Sequence, residues 1–383
     1  MMIPYGRQSI TETDIKSVTD VLRSDFLTQG PVVPKFESKL SEMTGAKYVT
    51  AVNSATSALH IACLALDVGP GDMVWTVPNT FVASANCALY CGADIDFVDI
   101  DPETSNMSIE CLRTKLKLAQ SSGNLPKVII PVHLTGEPCE MLPIKRLSDE
   151  FGFKVIEDAS HAIGGKYAKT AIGASTYSDI TVFSFHPVKI ITSGEGGAAL
   201  TNDQVLDQKM KLLRSHGITR DHELMTNPTD ASWYYEQIDL GFNYRMSDIL
   251  AALGASQLDR VDDYVKKRHE IAAVYDRGFA SSNMLTPKRN PENFSALHLY
   301  VIRVDATEHQ AIFNALQDEG IGVNLHYIPV HTQPYYQKLG FNWGDYPNSE
   351  AYYRRAISLP IYPTLEREQQ KFIIKIAKNL CGG

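Results

Sequence analysis

The feature that most constrains the fold is a regular alternation of short β-type runs with helical stretches in the first half of the chain. Helical stretches at 54–66 and 81–91 follow the first two of these runs. The β-type runs stand at 47–52, 73–78, 94–100, 127–133, 153–159, 179–185 and 196–202. Alternation of this kind is typical of α/β proteins, in which a mostly parallel central sheet carries helices on both faces.

The pattern changes after about residue 255. A charged helix is predicted over 257–279, and a stretch rich in Pro and Asn follows it. Beyond this stretch we expect further β-type runs and helices, at 296–304, 307–319, 321–329, 349–356 and 364–379. The sequence therefore predicts a large domain over 1–255, whose first thirty residues form an arm over the site, and a smaller C-terminal α+β domain over 256–383.

Charge and composition exclude several classes of function. The 383 residues have a net charge of -8 and a pI near 5.8, which gives no overall attraction for nucleic acid or an anionic membrane. No apolar run approaches the ~18 residues of a membrane span. The six cysteines form no C-x-x-C pair, so neither a zinc site nor a disulfide framework is indicated. We therefore expect a cytoplasmic protein that binds no metal, no nucleic acid and no membrane.

Two charged residues that follow apolar runs indicate the chemistry. Lys189 comes after the run 179–185, and Asp158 stands at the end of the run 153–159. Ligands of open α/β sheets bind at the carboxyl ends of strands, where burial lowers the pKa of a lysine and favours the neutral amine that forms imines. A carboxylate nearby suits the ring nitrogen of pyridoxal phosphate (PLP). Each residue alone is more often a solvated side chain, but together they predict a PLP site with the cofactor as a Schiff base on Lys189.

PLP also needs a group of phosphate ligands. The segment 53–58, Asn-Ser-Ala-Thr-Ser-Ala, follows a β-type run and opens a helix, so its amides and hydroxyls suit a dianion. By itself such a segment is more often a simple helix cap. Ser184 offers another hydroxyl near Lys189. Phe81 is a candidate to stack on the cofactor ring, although a phenylalanine at a helix start is usually a core residue.

A glycine-rich segment at 194–199 imitates a different cofactor site. Its sequence, GEGGAA, fits the dinucleotide pattern G-x-G-x-x-A. However, it leads into a β-type run instead of joining a strand to a helix, which disfavours a Rossmann dehydrogenase. A tight turn in which glycine lets the backbone approach the cofactor fits the context better.

Seven segments together resemble the DegT-type sugar aminotransferases, a branch of the fold-type I PLP enzymes. They are NSATSALH (53–60), PNTFVASAN (78–86), VIEDASHAIGG (155–165), FSFHPVKIITSGEGG (183–197), LLRSHGI (212–218), LGFNYRMSDILAALG (240–254) and VNLHYIPVHTQPYY (323–336). The resemblance covers nearly the whole chain, and its FHPVK and NSATSAL segments are most similar to the branch that serves pseudaminic acid biosynthesis. It implies a fold-type I PLP-dependent transferase.

The resemblance also implies roles for single residues. Lys189 would hold the cofactor and then act as general base, and Asp158 would bind its ring nitrogen. His161 stands where many relatives have Gln, near the 3′-oxygen of the cofactor. The phosphate ligands would be Ala55, Thr56 and Ser184, with Asn243 reaching the phosphate in the neighbouring subunit of a homodimer. The residues implied to line the nucleotide-sugar pocket are Tyr5, Asp25, Phe26, Leu27, Thr28, Ser54, His186, Leu325, His326 and Tyr327.

The reaction that the resemblance implies moves an amino group from glutamate, leaving 2-oxoglutarate, to the C4 keto group of a UDP-linked 4-keto-6-deoxy-N-acetylhexosamine. Relatives with similar motifs aminate C3 or C4 of dTDP- or GDP-linked keto sugars, so these substrates remain alternatives. A PLP-dependent sugar dehydratase is an alternative activity, but dehydratase relatives carry histidine where this chain has Lys189. A catalytically silent sugar-binding protein is disfavoured because Asp158, Ser184 and Lys189 are all present.

Overall fold

The computed structural model describes residues 2–227, 229 and 231–382. Its helices are α1 (Glu12–Leu22), α2 (Val32–Thr44), α3 (Ala55–Ala65), α4 (Ala83–Tyr90), α5 (Ile109–Ser122), α6 (Met141–Phe151), α7 (Gln204–Arg214), α8 (Asp248–Leu258), α9 (Val261–Phe279), α10 (His309–Asp318), α11 (Pro334–Gln337), α12 (Pro347–Tyr353) and α13 (Arg367–Leu380). Its strands are β1 (Tyr48–Val52), β2 (Met73–Thr76), β3 (Asp94–Phe97), β4 (Val128–Ile129), β5 (Lys154–Asp158), β6 (Lys166–Tyr167), β7 (Thr170–Ala171), β8 (Ile180–Ser184), β9 (Gly197–Thr201), β10 (Ile218–Thr219), β11 (Glu236–Gln237), β12 (Tyr300–Arg303) and β13 (Ala356–Leu359).

Seven of these strands form one central sheet in the order β1-β9-β8-β5-β4-β2-β3. The strands from β3 across to β8 pair in parallel, and β9 is antiparallel to both of its neighbours. Every strand of the sheet except β9 therefore runs in one direction, so the carboxyl ends of β1, β2, β4, β5 and β8 share one edge. The predicted mostly parallel sheet is confirmed.

Apolar side chains cover both faces of the central sheet. Along β5, Ile156 packs into a core with α3, α4 and α7, whereas its neighbour Val155 packs on the opposite face with α5 and α6. Along β8, Val182 joins the first core, and Phe183 packs on the other face with α2 and α8. Because successive side chains of a strand point to opposite faces, two-sided burial produces the continuous apolar runs in the sequence.

A separate apolar cluster lies in the C-terminal part of the chain. Helices α9, α10 and α13 pack there against the antiparallel pair β12 and β13. Ile3 belongs to the same cluster and pairs with Ile321, so the N-terminal segment reaches across to this part of the chain. The predicted division of the chain at residue 255 stays a prediction.

Several predicted elements differ from the observed ones. The charged helix expected over 257–279 is interrupted, because α8 ends at Leu258 and α9 begins at Val261. Arg260, which lies between the two helices, donates a hydrogen bond to Asp14 in α1. The helix expected over 349–356 ends at Tyr353, and β13 follows it. The run 321–329 makes only isolated bridges, at Ile321 and Asn324, and is not a strand.

The run 127–133 is a strand only over Val128–Ile129. Pro131 lacks a backbone N–H and cannot continue the ladder as a donor, although its carbonyl still accepts from the Asp158 amide. No helix in the described residues is both long and apolar enough to cross a membrane.

The N-terminal segment is attached to α8 and α9 by Asp14, which is fully buried. Its carboxylate accepts hydrogen bonds from Arg260 at 2.6 and 2.7 Å, from Ser256 Oγ at 2.6 Å and from Gln257 Nε2 at 2.8 Å. Burial raises the pKa of the Asp14 carboxyl, but the hydrogen bonds from Ser256, Arg260 and Thr11 outweigh burial and hold that pKa below its ordinary value.

We expect Asp14→Asn to lower the free energy of unfolding at neutral pH by roughly 2–3 kcal/mol, because charged hydrogen bonds are lost and Arg260 keeps no counter-charge. Since the pKa of Asp14 is lowered in the folded state, this stabilisation is present above the unfolded-state pKa and is lost as the pH falls through the folded-state pKa. The difference between wild type and variant should therefore shrink in acid, as measured by denaturant midpoints at several pH values.

The matched control is Asp20→Asn on the same helix, whose exposed ion pair with Lys16 is worth at most about 0.5 kcal/mol. Equal effects of the two substitutions, or a difference that does not depend on pH, would contradict the role given to Asp14.

Candidate active site

A cavity of about 480 Å³ opens at the shared carboxyl edge of the central sheet. This volume lies within the range of small-molecule sites. Most of the residues singled out from the sequence line it, namely Tyr5, Ser54, Ala55, Thr56, Phe81, Asp158, His161, Ser184, His186, Lys189, Leu325, His326 and Tyr327. They come from the ends of several strands, from the N-terminal segment and from the loop before α11.

Lys189 lies in the loop between β8 and β9. Its backbone amide donates to the carbonyl of His186 at 2.9 Å, and the Ser193 amide donates to the carbonyl of Phe185 at 3.0 Å, so the loop is closed on itself. Burial of the ammonium lowers the pKa of Lys189 to about 8, against the opposing influence of the Asp158 carboxylate. A sizeable fraction of neutral amine is therefore available near neutral pH.

Asp158 ends β5 and is buried, with 5% of its surface exposed. Its Oδ2 accepts from Ser84 Oγ at 2.6 Å, and its Oδ1 accepts from the Ser160 amide at 3.1 Å. These two contacts hold the carboxylate in one orientation in the cavity wall.

The segment after β1 forms a helix N-terminus that faces the cavity. Ser54 is the N-cap of α3, and its Oγ accepts from the Ser57 amide at 3.1 Å. The earlier amides, of Ala55 and Thr56, have no acceptor within the helix and lie in the cavity lining. The positive end of the α3 dipole adds to the suitability of this turn for an anion.

The glycine-rich segment 194–197 packs against this helix N-terminus through Gly197. Gly197 pairs with Val52 across β9 and β1. A Cβ on Gly197 would stand 2.4 Å from the Ala55 nitrogen and 2.5 Å from the Ser54 carbonyl carbon. Gly197 therefore approaches the backbone of segment 53–58, whereas the sequence predicted an approach to the cofactor. Glu195 and Gly196 line the cavity.

His161 and Tyr327 form a polar contact in the cavity wall. The Tyr327 hydroxyl and His161 Nε2 are 3.0 Å apart, and the His298 ring packs against His161 with centroids 4.4 Å apart. Burial, with the nearby Lys189, holds the pKa of His161 well below its ordinary value. The imidazole is therefore neutral, and it shares one hydrogen bond with the Tyr327 hydroxyl. His161 Nδ1 is buried without a partner among the described residues.

Five of the residues singled out from the sequence do not line the cavity of their own chain. Asp25, Phe26, Leu27, Thr28 and Asn243 are all exposed on the surface. The first four lie beside the start of α8, where the Leu27 carbonyl accepts from the Asp248 amide at 3.0 Å. Asn243 lies next to the phosphate segment, since its carbonyl accepts from Asn53 Nδ2 at 3.4 Å.

Sequence reasoning did not single out several residues of the site. Thr80, Ser160, Glu195 and Asn324 line the cavity, and Ser84 binds Asp158 from behind it. Thr80 and Ser84 follow β2, whose carboxyl end lies at the same edge as that of β5. The rule that strand ends converge was a signal for them, but hydroxyl residues at a helix start resemble ordinary caps.

The donor set fits PLP. Asp158 offers an anion for the ring nitrogen, Lys189 offers an amine of lowered pKa, and the start of α3 with Ser184 offers amides and hydroxyls for a phosphate. The unpartnered Nδ1 of His161 and the aromatic ring of Phe81 lie in the remaining lining.

Comparisons with known proteins agree with a PLP site in this cavity. The family model of the DegT/DnrJ/EryC1/StrS aminotransferase family matches residues 8–378. The UDP-4-amino-4,6-dideoxy-N-acetyl-beta-L-altrosamine transaminase of Campylobacter jejuni is 35% identical, over 100% of both chains. Helicobacter pylori PseC, an aminotransferase involved in pseudaminic acid biosynthesis, superposes with a TM-score of 0.92 at 31% identity, over 100% of both chains. The PLP form of Spr1654 from Streptococcus pneumoniae superposes with a TM-score of 0.90 at 31% identity, over 100% of this chain and 99% of that one.

The expected fold-type I architecture and the expected cofactor are thereby confirmed. The chain belongs to the DegT/DnrJ/EryC1/StrS aminotransferase family and is a PLP-dependent aminotransferase.

Proposed function

We propose that this enzyme transfers the amino group of glutamate to the C4 keto group of a UDP-linked 4-keto-6-deoxy-N-acetylhexosamine, in a site shared by two subunits. The observation that carries the proposal is the convergence of Lys189, Asp158 and the N-terminus of α3 on one cavity of a sugar-aminotransferase fold. Bound PLP supplies the electron sink that this transfer needs. The roles of the individual residues are inferred from their contacts.

Lys189 is the catalytic residue in this proposal. It holds the cofactor covalently in the resting enzyme, and once displaced by the amino donor it moves a proton as general base. Its lowered pKa supports both roles, because only the neutral amine attacks a carbonyl or accepts a proton. Asp158 binds the ring nitrogen as an anion, and Ala55, Thr56 and Ser184 bind the phosphate.

The remaining lining positions the nucleotide sugar. Tyr5, Ser54, His186 and the segment Leu325–Tyr327 line the cavity. His326 is fixed by a contact of its Nδ1 with Ser358 Oγ at 2.8 Å, and its ring lies 5.6 Å from that of Tyr5. Burial lowers the pKa of His326 to about 3, so this imidazole is a neutral contact for substrate.

The exposed residues of the predicted site support a homodimer. Asp25 to Thr28 were expected to line the sugar pocket and Asn243 to reach the phosphate in the neighbouring subunit; all five residues are exposed, and none lines the cavity of its own chain. In a symmetric dimer the same surface of each subunit meets its partner, so these residues are free to complete the partner's site. We therefore assign Asn243 to the phosphate held in the other subunit.

The choice of sugar rests on the similarity to the Campylobacter transaminase and to PseC. Amination of another keto nucleotide sugar, linked to dTDP or GDP, is the alternative. A dehydratase reaction is disfavoured because Lys189 is present and lines the cavity.

Borohydride treatment of the holoenzyme should attach PLP to Lys189, as identified by peptide mass spectrometry. Lys189→Ala should show no such attachment and lose at least about 10²–10⁴-fold in turnover, the usual contribution of a positioned general base. Attachment to a different lysine, or normal turnover of the variant, would refute the assignment of Lys189.

The lowered pKa of Lys189 makes a separate prediction for the apoenzyme. Capture of added PLP requires the neutral amine, so its rate should rise with pH and level off above about 8. With an ordinary lysine, whose pKa is ~10.4, the rate of PLP capture would still rise about tenfold per pH unit in this range. Stopped-flow absorbance at several pH values measures the profile, and a rate that keeps rising beyond this pH would show that burial does not shift the pKa.

Mixed dimers test the shared site. Lys189→Ala and Asn243→Ala should each be impaired alone, but their mixture should regain up to about a quarter of wild-type turnover, since half of the dimers have one intact site. The matched control mixes Lys189→Ala with Asp158→Asn, which belong to the same site and should not complement. Recovery in neither mixture, or equally in both, would oppose the assignment of Asn243.

A panel of keto nucleotide sugars tests the substrate. With glutamate, we expect amination at C4 of the UDP-linked 4-keto-6-deoxy-N-acetylhexosamine, seen as a mass change and located by NMR. Faster amination of a dTDP- or GDP-linked sugar would replace the proposed substrate. Water loss without amino transfer would favour the dehydratase.

A further inference from the structure

We propose that Ser84 is a positioning residue for Asp158, and that Thr80 in turn orients Ser84. This inference rests on the proposed role of Asp158 at the ring nitrogen of PLP. Neither hydroxyl belongs to the residues assigned above to cofactor or substrate binding. Thr80 lies in the loop between β2 and α4 and Ser84 in the first turn of α4, whereas Asp158 ends β5, so the contact joins two separate parts of the chain.

The direction of each hydrogen bond in this group follows from the chemistry of its members. Ser84 Oγ lies 2.6 Å from Asp158 Oδ2, and a carboxylate can only accept, so the Ser84 proton lies in that contact. Thr80 Oγ1 lies 2.8 Å from Ser84 Oγ. Because the single proton of Ser84 is already used, Thr80 donates to Ser84. The result is a chain of hydroxyls that ends on the anion.

Burial makes the hydrogen bonds from Thr80 to Ser84 and from Ser84 to Asp158 stronger than such bonds are on the surface. Ser84 is 0% exposed and Thr80 is 1% exposed, so water does not compete for the contacts. In such surroundings successive hydrogen bonds polarise one another. Ser84 also lies in the first turn of α4, where the helix dipole favours a nearby negative charge.

The two bonds to Asp158 restrict how its carboxylate can turn. Ser84 occupies one oxygen and the Ser160 amide occupies the other, from different parts of the chain. Rotation of the carboxylate would break both contacts. Each oxygen keeps further acceptor capacity, and because Asp158 lines the cavity this capacity is available to the ring nitrogen. Ser84 therefore acts through Asp158, and not by touching the cofactor.

A purely structural role is the competing explanation for Ser84. Its hydroxyl also lies 3.3 Å from the Phe81 carbonyl, as in a local bond back to the preceding turn. This contact is longer than the one to Asp158 and involves no charge. A purely local bond would influence folding in general, whereas a positioning residue changes cofactor binding only while Asp158 is present.

Pyridoxamine phosphate is the probe for the test, because it binds without a covalent bond to Lys189. We expect Ser84→Ala to weaken its binding by roughly tenfold, the usual loss for a hydrogen bond to a charged group. Ser84→Cys keeps the shape with a weaker donor and should give an intermediate loss. Ser175→Ala is the matched control, since Ser175 is a buried serine bonded to Thr181 and Leu200, away from Asp158. It should bind the probe as wild type does.

A double-mutant cycle separates this inference from the proposed function. Ser84→Ala should add little to the loss already caused by Asp158→Asn, because it acts through that residue. If Asp158→Asn leaves binding unchanged, the role of Asp158 itself is wrong. If Asp158→Asn weakens binding but Ser84→Ala does not, or if the two losses simply add, the positioning role of Ser84 is overturned and that of Asp158 stands.

Discussion

The structure depends on the burial of the central sheet on both faces. Helices α3, α4 and α7 cover one face, and α2, α8, α5 and α6 cover the other. This arrangement leaves the ends of the strands as the places where polar groups can reach a ligand. Since all strands except β9 run the same way, their carboxyl ends converge, and residues far apart in the chain meet around one cavity.

Electrostatics in the cavity follow from the same burial. Removal of water lowers the pKa of Lys189 and keeps His161 and His326 neutral. Asp158, in contrast, receives two hydrogen bonds, from Ser84 and from the Ser160 amide. One buried site thus contains an amine that can lose its proton, a carboxylate fixed by hydrogen bonds, and neutral imidazoles.

Glycine has a more specific role in the site than flexibility alone. At Gly197 the chain passes so close to Ser54 and Ala55 that no side chain could be accommodated. The last glycine of the GEGG segment, which imitates a dinucleotide motif, is therefore required by its packing against segment 53–58 at the N-terminus of α3.

The sequence by itself determined the succession of strands and helices along the chain, the mostly parallel sheet and the residues that end its strands, because these depend on local periodicity and composition. The motif resemblance added the family and its cofactor. Only the tertiary structure decided that Ser84 meets Asp158, that Tyr327 meets His161, and that residues 25–28 lie outside the cavity of their own chain. It also decided the break between α8 and α9, where Arg260 binds a residue from the start of the chain. Such contacts depend on the order of strands in the sheet and on packing between distant segments, which no local pattern specifies.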